Sequence, residues 1–163
     1  MMCNILYKGV YYMYTVKYSS NYTDPDGDTM PTFYIKEKLS NGQTIFMALE
    51  LYDERDCTNY WNVYLTIYNK RKHTMSNLDA VKSTGKNPFE TVSMCRTMFK
   101  DLVTGMLLSE YNKDCDNMVT ITWTDNRRRD VYYRYLHRFG YEYGIVYKSK
   151  VIQKKYPRYS IEI

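Results

Sequence analysis

Two runs, Thr44 to Leu51 and Tyr60 to Tyr68, carry Ile, Met, Leu, Val or Trp at every second position. Ile45, Met47, Leu49 and Leu51 stand against Thr44, Phe46, Ala48 and Glu50. Trp61, Val63, Leu65 and Ile67 stand against Tyr60, Asn62, Tyr64, Thr66 and Tyr68. A period of two puts each set on its own face of a strand, so these runs bury an apolar face only within a sheet. Phe33 and Ile35 alternate with Tyr34 and Lys36 just before, and Ser40-Asn41-Gly42 joins that run to the next. Asn-Gly between alternating runs is the strongest short-range hairpin signal. The Tyr- and Val-rich stretch Ile5 to Tyr18 reads as one long strand or two short ones. Asp24-Pro25-Asp26-Gly27-Asp28 has the spaced aspartates of a calcium loop, but Ile35 stands where the bidentate glutamate belongs, so a turn is expected.

Helical spacing takes over after a polar connection, Asn69 to Lys86. Asn87-Pro88-Phe89-Glu90 is a helix start, with Asn as N-cap, Pro at the first helical position and Glu three residues after the cap. Val92, Cys95, Phe99, Leu102, Val103 and Met106 then form one apolar face, and Asn112 to Asn117 ends the helix. A short alternating strand, Val119 to Trp123, runs into Asp125-Asn126 and an Arg-rich helix on which Val131, Tyr132, Tyr135, Leu136 and Phe139 share a face. Gly140 is its C-terminal stop. Two last strands are expected, around Tyr143 to Lys148 and Tyr159 to Ile163. The order predicts an α+β fold: a mixed, mostly antiparallel central sheet flanked by helices. With 163 residues, 44% of them hydrophobic, the chain is expected to be one domain (1–163), its Tyr-rich N-terminal strands (1–31) preceding a core (32–163).

Charge and cysteine usage narrow the function classes. A net charge of +5 favours an anionic partner. Cys3, Cys57, Cys95 and Cys115 contain no CxxC pair and no secretory leader is recognisable, so they read as reduced thiols of a cytoplasmic protein. No apolar run approaches a bilayer span, so no membrane partner is expected. No HExxH, CxxC or His/Cys cluster suggests a metal site, and no elbow motif supports a Ser-His-Asp nucleophile. Abundant Tyr, Asn, Lys and Met suggest an AT-rich coding genome, as in many viruses and low-GC bacteria.

The element order, together with Asp125-Asn126-Arg127-Arg128 through Arg138-Phe139-Gly140-Tyr141, resembles the GCN5-related N-acetyltransferase superfamily. The topology likeness covers about Phe33 to Ile163, and the residue-level likeness Trp123 to Tyr141. The resemblance implies acetyl-CoA between the Tyr60–Tyr68 and Val119–Trp123 strands, touching Tyr64, Ile67, Asn126 and Arg128. Its phosphates would lie toward Lys82, Gly85, Lys86 and Asn87 at the start of the first long helix, where backbone N–H groups and the helix dipole hold anions. It also implies Glu50 as a base working through water. The family's proton donor, a Tyr four residues before the glycine, is Leu136 here. Tyr135, one residue away, is the candidate donor with Tyr132 near it, although one residue turns a side chain by about a quarter of a turn. Of the family's phosphate-binding loop only Gly85 remains, and Pro88 removes one donor.

Three readings follow. The first is an acetyl-CoA-dependent N-acetyltransferase acting on an amine. The second is a catalytically silent relative, such as a phage-encoded structural or host-inhibiting protein, that keeps the scaffold for a protein partner. The third is a nucleic-acid-binding module, resting on Arg127-Arg128-Arg129, the interleaved tyrosines and the basic tail Lys148 to Arg158. His137 is a further candidate base.

Overall fold

The alternating runs become neighbouring strands. The computed structural model describes residues 4–7, 10–24, 26–40, 42–69, 74–77, 88–123 and 126–159. Among the described strands, β1 (Asn4–Tyr7) and β2 (Val10–Tyr12) pair only with each other. An antiparallel meander follows: β3 (Lys17–Thr23), β4 (Thr29–Lys38), β5 (Thr44–Arg55) and β6 (Thr58–Asn69). Asp24 Oδ1 accepts the N–H groups of Asp26 and Asp28, both at 2.9 Å, which closes the β3–β4 connection as a turn. After β7 (Thr74–Asn77) come α1 (Pro88–Leu107), the short α2 (Tyr111–Asp114), β8 (Asp116–Ile121) and α3 (Asn126–Leu136). A 3-10 turn (His137–Phe139), β9 (Glu142–Val146) and β10 (Ser149–Tyr156) complete the described chain.

The main sheet has the order β3-β4-β5-β6-β8-β10-β9, with β7 also on β6. Every pairing is antiparallel except β6 with β8. The fold is therefore α+β with a mostly antiparallel sheet, as the element order predicts. One face carries Phe33, Ile35, Ile45, Met47, Leu49, Trp61, Val119, Ile121 and Ile152, all buried. Met98, Phe99, Leu102, Val103 and Met106 of α1 cover it. Each such burial is worth about 1.5–3 kcal/mol, which makes this face the main stabilising element. α3 lies over the same face, because Tyr133 stacks on Tyr143 (4.2 Å between centroids) and Tyr143 stands opposite the core residue Ile152. The 13–16 segment crosses α1: Asp101 Oδ2 accepts the Met13 and Tyr14 N–H groups at 2.9 and 2.8 Å.

Several expectations need correction. The segment read as a polar connection contains β7, which covers the end of β6. Of the two alternatives for Ile5 to Tyr18 the structure has the two short strands, in a separate sheet, and adds the start of β3. The last described strand is β10; of the strand expected at Tyr159 to Ile163, Tyr159 lies in a turn at φ 63° and residues 160–163 lie outside the described residues. Val151 and Ile152 are consecutive and both buried, so no period of two marked that strand. α1 ends at Leu107 rather than at Asn112. Val92 and Val131 are exposed at 44% and 53%, because their parts of the two helices face an opening rather than the core. Gly140 stops the helix as expected: at φ 88° its N–H bonds His137 O at 3.1 Å.

Candidate functional site

Two strands that start side by side and then part create the site. β6 pairs with β8 in parallel from Thr58–Asp116 to Asn62–Thr120. β7 takes the same edge of β6 from Thr66 onward. Between them Val63, Tyr64 and Leu65 keep a backbone edge that no described strand pairs. A cavity of about 490 Å³ opens there, roofed by α1 and α3, a size usual for small-molecule sites. Its wall combines apolar groups (Val63, Leu65, Val92, Ile121, Val131, Leu136) with Arg96, Arg127 and Arg128. The first turns of both long helices face it, so their positive dipole ends add to the arginines and favour an anion.

On the opposite face of the sheet, matched residues form a polar row. Thr32 stands opposite Glu50, Glu50 opposite Asn62, and Asn62 opposite Thr120. Thr32, Glu50 and Thr120 are buried. A second cavity of about 360 Å³ lies against this row, lined also by Asp24, Tyr52, Tyr147 and Ser149. Asn62 and Thr122 belong to both cavities, so the two meet where β6 and β8 separate. Glu50 is 7% exposed, and burial, followed by the Asp24 carboxylate, pushes its carboxyl up to about 7. A group that titrates near neutrality can exchange a proton with a ligand in either direction. The Tyr52 and Thr120 hydroxyls face one another here closely enough for Thr120 to oppose the burial that raises Tyr52, but without a hydrogen bond of ordinary geometry.

The candidate residues are distributed unevenly. Glu50 lies in the smaller cavity and Tyr135 in the larger. Burial raises the Tyr135 hydroxyl; the Arg96 guanidinium, 4.7 Å from its ring, opposes this. Tyr64 lines the opening, raised by burial and then by Glu50. Arg128 lines the larger cavity, whereas Asn126, next to Arg129, lines neither. Ile67 sits where β7 already covers the edge, opposite Ser76, so it is beyond the opening. Lys82, Gly85, Lys86 and Asn87 lie outside the described residues. His137 bonds Glu142 at 3.1 Å and lines neither cavity. Arg129 pairs with Asp130 at 2.9 Å and Lys155 with Asp116 at 3.4 Å, which offsets one cation of the arginine triplet and one of the basic tail.

Asp24, Tyr52, Asn62, Thr120 and Arg96 escaped the reading of the sequence as site residues. Strand register aligns Asn62 with Thr120, and Asp24 from the β3–β4 turn and Tyr52 from the irregular stretch of β5 join them around the smaller cavity. Arg96 had a weak local signal, a cation between the apolar positions Val92 and Phe99 of α1. Cys95, on the wall of the larger cavity, is pushed up to about 12 by burial and stays a neutral thiol near pH 7. Among the described residues no group of three or more His, Cys, Asp and Glu is placed to hold a metal ion. No described helix is long and apolar enough to cross a membrane. Comparison of the chain with protein-family models, curated proteins and solved structures finds no match.

Proposed function

We propose that the protein is an acetyl-CoA-dependent N-acetyltransferase, a divergent relative of the GCN5-related superfamily, acting on a cationic amine. The carrying observation is the parting of β6 and β8 after Asn62 and Thr120, with one cavity on each face meeting in the gap. The larger cavity suits acetyl-CoA: apolar groups for the pantetheine arm, and Arg96, Arg127 and Arg128 for phosphate charge. The element order, an antiparallel meander followed by α1, β8, α3 and the Gly140-Tyr141 turn, supports the same reading. The smaller cavity suits the acceptor, since Asp24 and Glu50 attract an ammonium group. Glu50 then removes the proton that keeps the amine from attacking. The free edge at Val63 to Leu65 can supply a backbone N–H to the charge that develops on the thioester oxygen. Acetyl-CoA supplies the activated acyl group; the chain aligns it, excludes water and moves the amine proton.

A second reading, a catalytically silent relative, is favoured by Leu136. This residue is 5% exposed, lines the larger cavity and offers no hydroxyl to the departing thiolate. Tyr135 supplies a hydroxyl in that cavity, and positioning alone can support transfer to a good nucleophile.

Binding is tested by thermal shift with acetyl-CoA. At a hundredfold excess over Kd the melting temperature should rise by about 5–10 °C. Val131→Trp, which fills the cavity from an exposed helix position, should remove the rise without destabilising the free protein. No rise at millimolar acetyl-CoA ends the proposal. A rise without acetyl transfer to any amine leaves the silent relative.

A further inference from the structure

We infer that Cys57 and Cys115 form a dithiol site that closes into an intramolecular disulfide by exchange with a small disulfide such as oxidised glutathione. Cys57 is exposed and completes the tight turn between β5 and β6. Cys115 is half-buried and joins α2 to β8. Since β6 and β8 run parallel with Thr58 opposite Asp116, the two cysteines are the residues immediately before a matched pair. The Cys57 carbonyl accepts the Asp116 N–H at 3.0 Å, which holds the two backbones together at this point. Neighbouring strands lie about 4.8 Å apart, inside the Cα separation of roughly 4.4–6.8 Å that a disulfide spans. The sulfurs are neighbours as well: the Cys115 thiol is raised first by burial and then by Cys57 beside it. Cys95 is the internal contrast, a buried thiol on the wall of the larger cavity.

The exchange balances. The Cys57 thiolate attacks one sulfur of oxidised glutathione and releases one glutathione thiolate. Cys115 gives its proton to water and attacks the Cys57 sulfur of the mixed disulfide, releasing the second. The protein loses two thiol hydrogens and two electrons, and two glutathione molecules carry them away. The new bond fastens β6 to β8 at their closed end, opposite the end at which they part. It also closes a long loop, which constrains the unfolded chain.

The test is incubation of the full chain with oxidised glutathione, followed by peptide mapping without reduction and by melting curves. A linked Cys57–Cys115 peptide is expected, with a rise in melting temperature of about 5–10 °C that a reductant reverses. Cys57→Ser and Cys115→Ser should each abolish both, and Cys95→Ser neither. Glutathione retained on Cys57 with no linked peptide, or cross-links between chains only, would overturn the inference. If a serine variant does not fold, the map of the unaltered protein decides alone.

Discussion

Glu50→Gln is expected to make the protein more stable at pH 8 and to remove its acetyl transfer. Glu50 is buried in the polar row, and its carboxyl titrates near 7 rather than near 4.5 because its ionised form is poorly solvated beside Asp24. The folded chain therefore holds this proton more tightly than the unfolded chain does. Stability from this group is complete below about pH 4.5, falls as pH rises, and levels off above about 7. The difference amounts to about 3 kcal/mol. Gln carries no charge to bury, so the variant should match the parent near pH 4 and exceed it by about 6–12 °C in melting temperature at pH 8. Transfer should respond in the opposite sense. The rate of the parent should climb through pH 7 as Glu50 ionises, and the variant should lose about 10²- to 10⁴-fold and show no such climb. Melting curves at the two pH values check the buried charge, and the pH–rate profile checks the base. Identical pH dependence of melting in the two proteins would show that Glu50 is not strained in the fold.

Asn117→Ala should cost about 3 kcal/mol, lowering the melting temperature by about 6–12 °C. Asn117 is fully buried where β6 and β8 are fastened, opposite Asn59. Its carbonyl accepts Trp61 Nε1–H at 2.8 Å and Asn59 Nδ2–H at 3.2 Å. Its amide donates to Tyr111 O at 3.2 Å, with Cys115 O and Asn112 Oδ1 at 3.3 and 3.4 Å. Alanine leaves the Trp61 indole N–H inside the core without its acceptor, and each such orphan costs about 1–3 kcal/mol. The network is coupled, so Trp61→Phe made in the Asn117→Ala background should cost less than Trp61→Phe alone. Chemical denaturation of the two single variants and the double variant measures this. A loss below about 1 kcal/mol for Asn117→Ala would mean that the parallel strand pair is held by backbone pairing and apolar packing alone.

Much of the scaffold was legible because it obeys local rules. The alternation at Ile45 to Leu51 and Trp61 to Leu65 marks the residues that face α1, and Gly140 marks a helix end because a left-handed residue is needed there. Strand β10 has no alternation to announce it because Val151 and Ile152 are adjacent, and β7 has none because Met75 is the single apolar residue among its four. The β5–β6 turn uses Asp56 and Cys57 at φ 49° and 55°, without the glycine that usually announces such a turn. Glu50 stands out on the polar face of its strand only through the family resemblance, which implies a base there. Nothing near it in the chain pointed to Thr32, Asn62 or Thr120.

Period, turn chemistry and capping act between residues a few positions apart, so the chain alone specified which segments are strands, which face of each is apolar and where α3 stops. The opening between β6 and β8, the row Thr32–Glu50–Asn62–Thr120 and the raised titration of Glu50 came from assembly. Those features depend on register between strands distant in the chain and on how much water the packed sheet excludes, and neither quantity is encoded in any short stretch of residues.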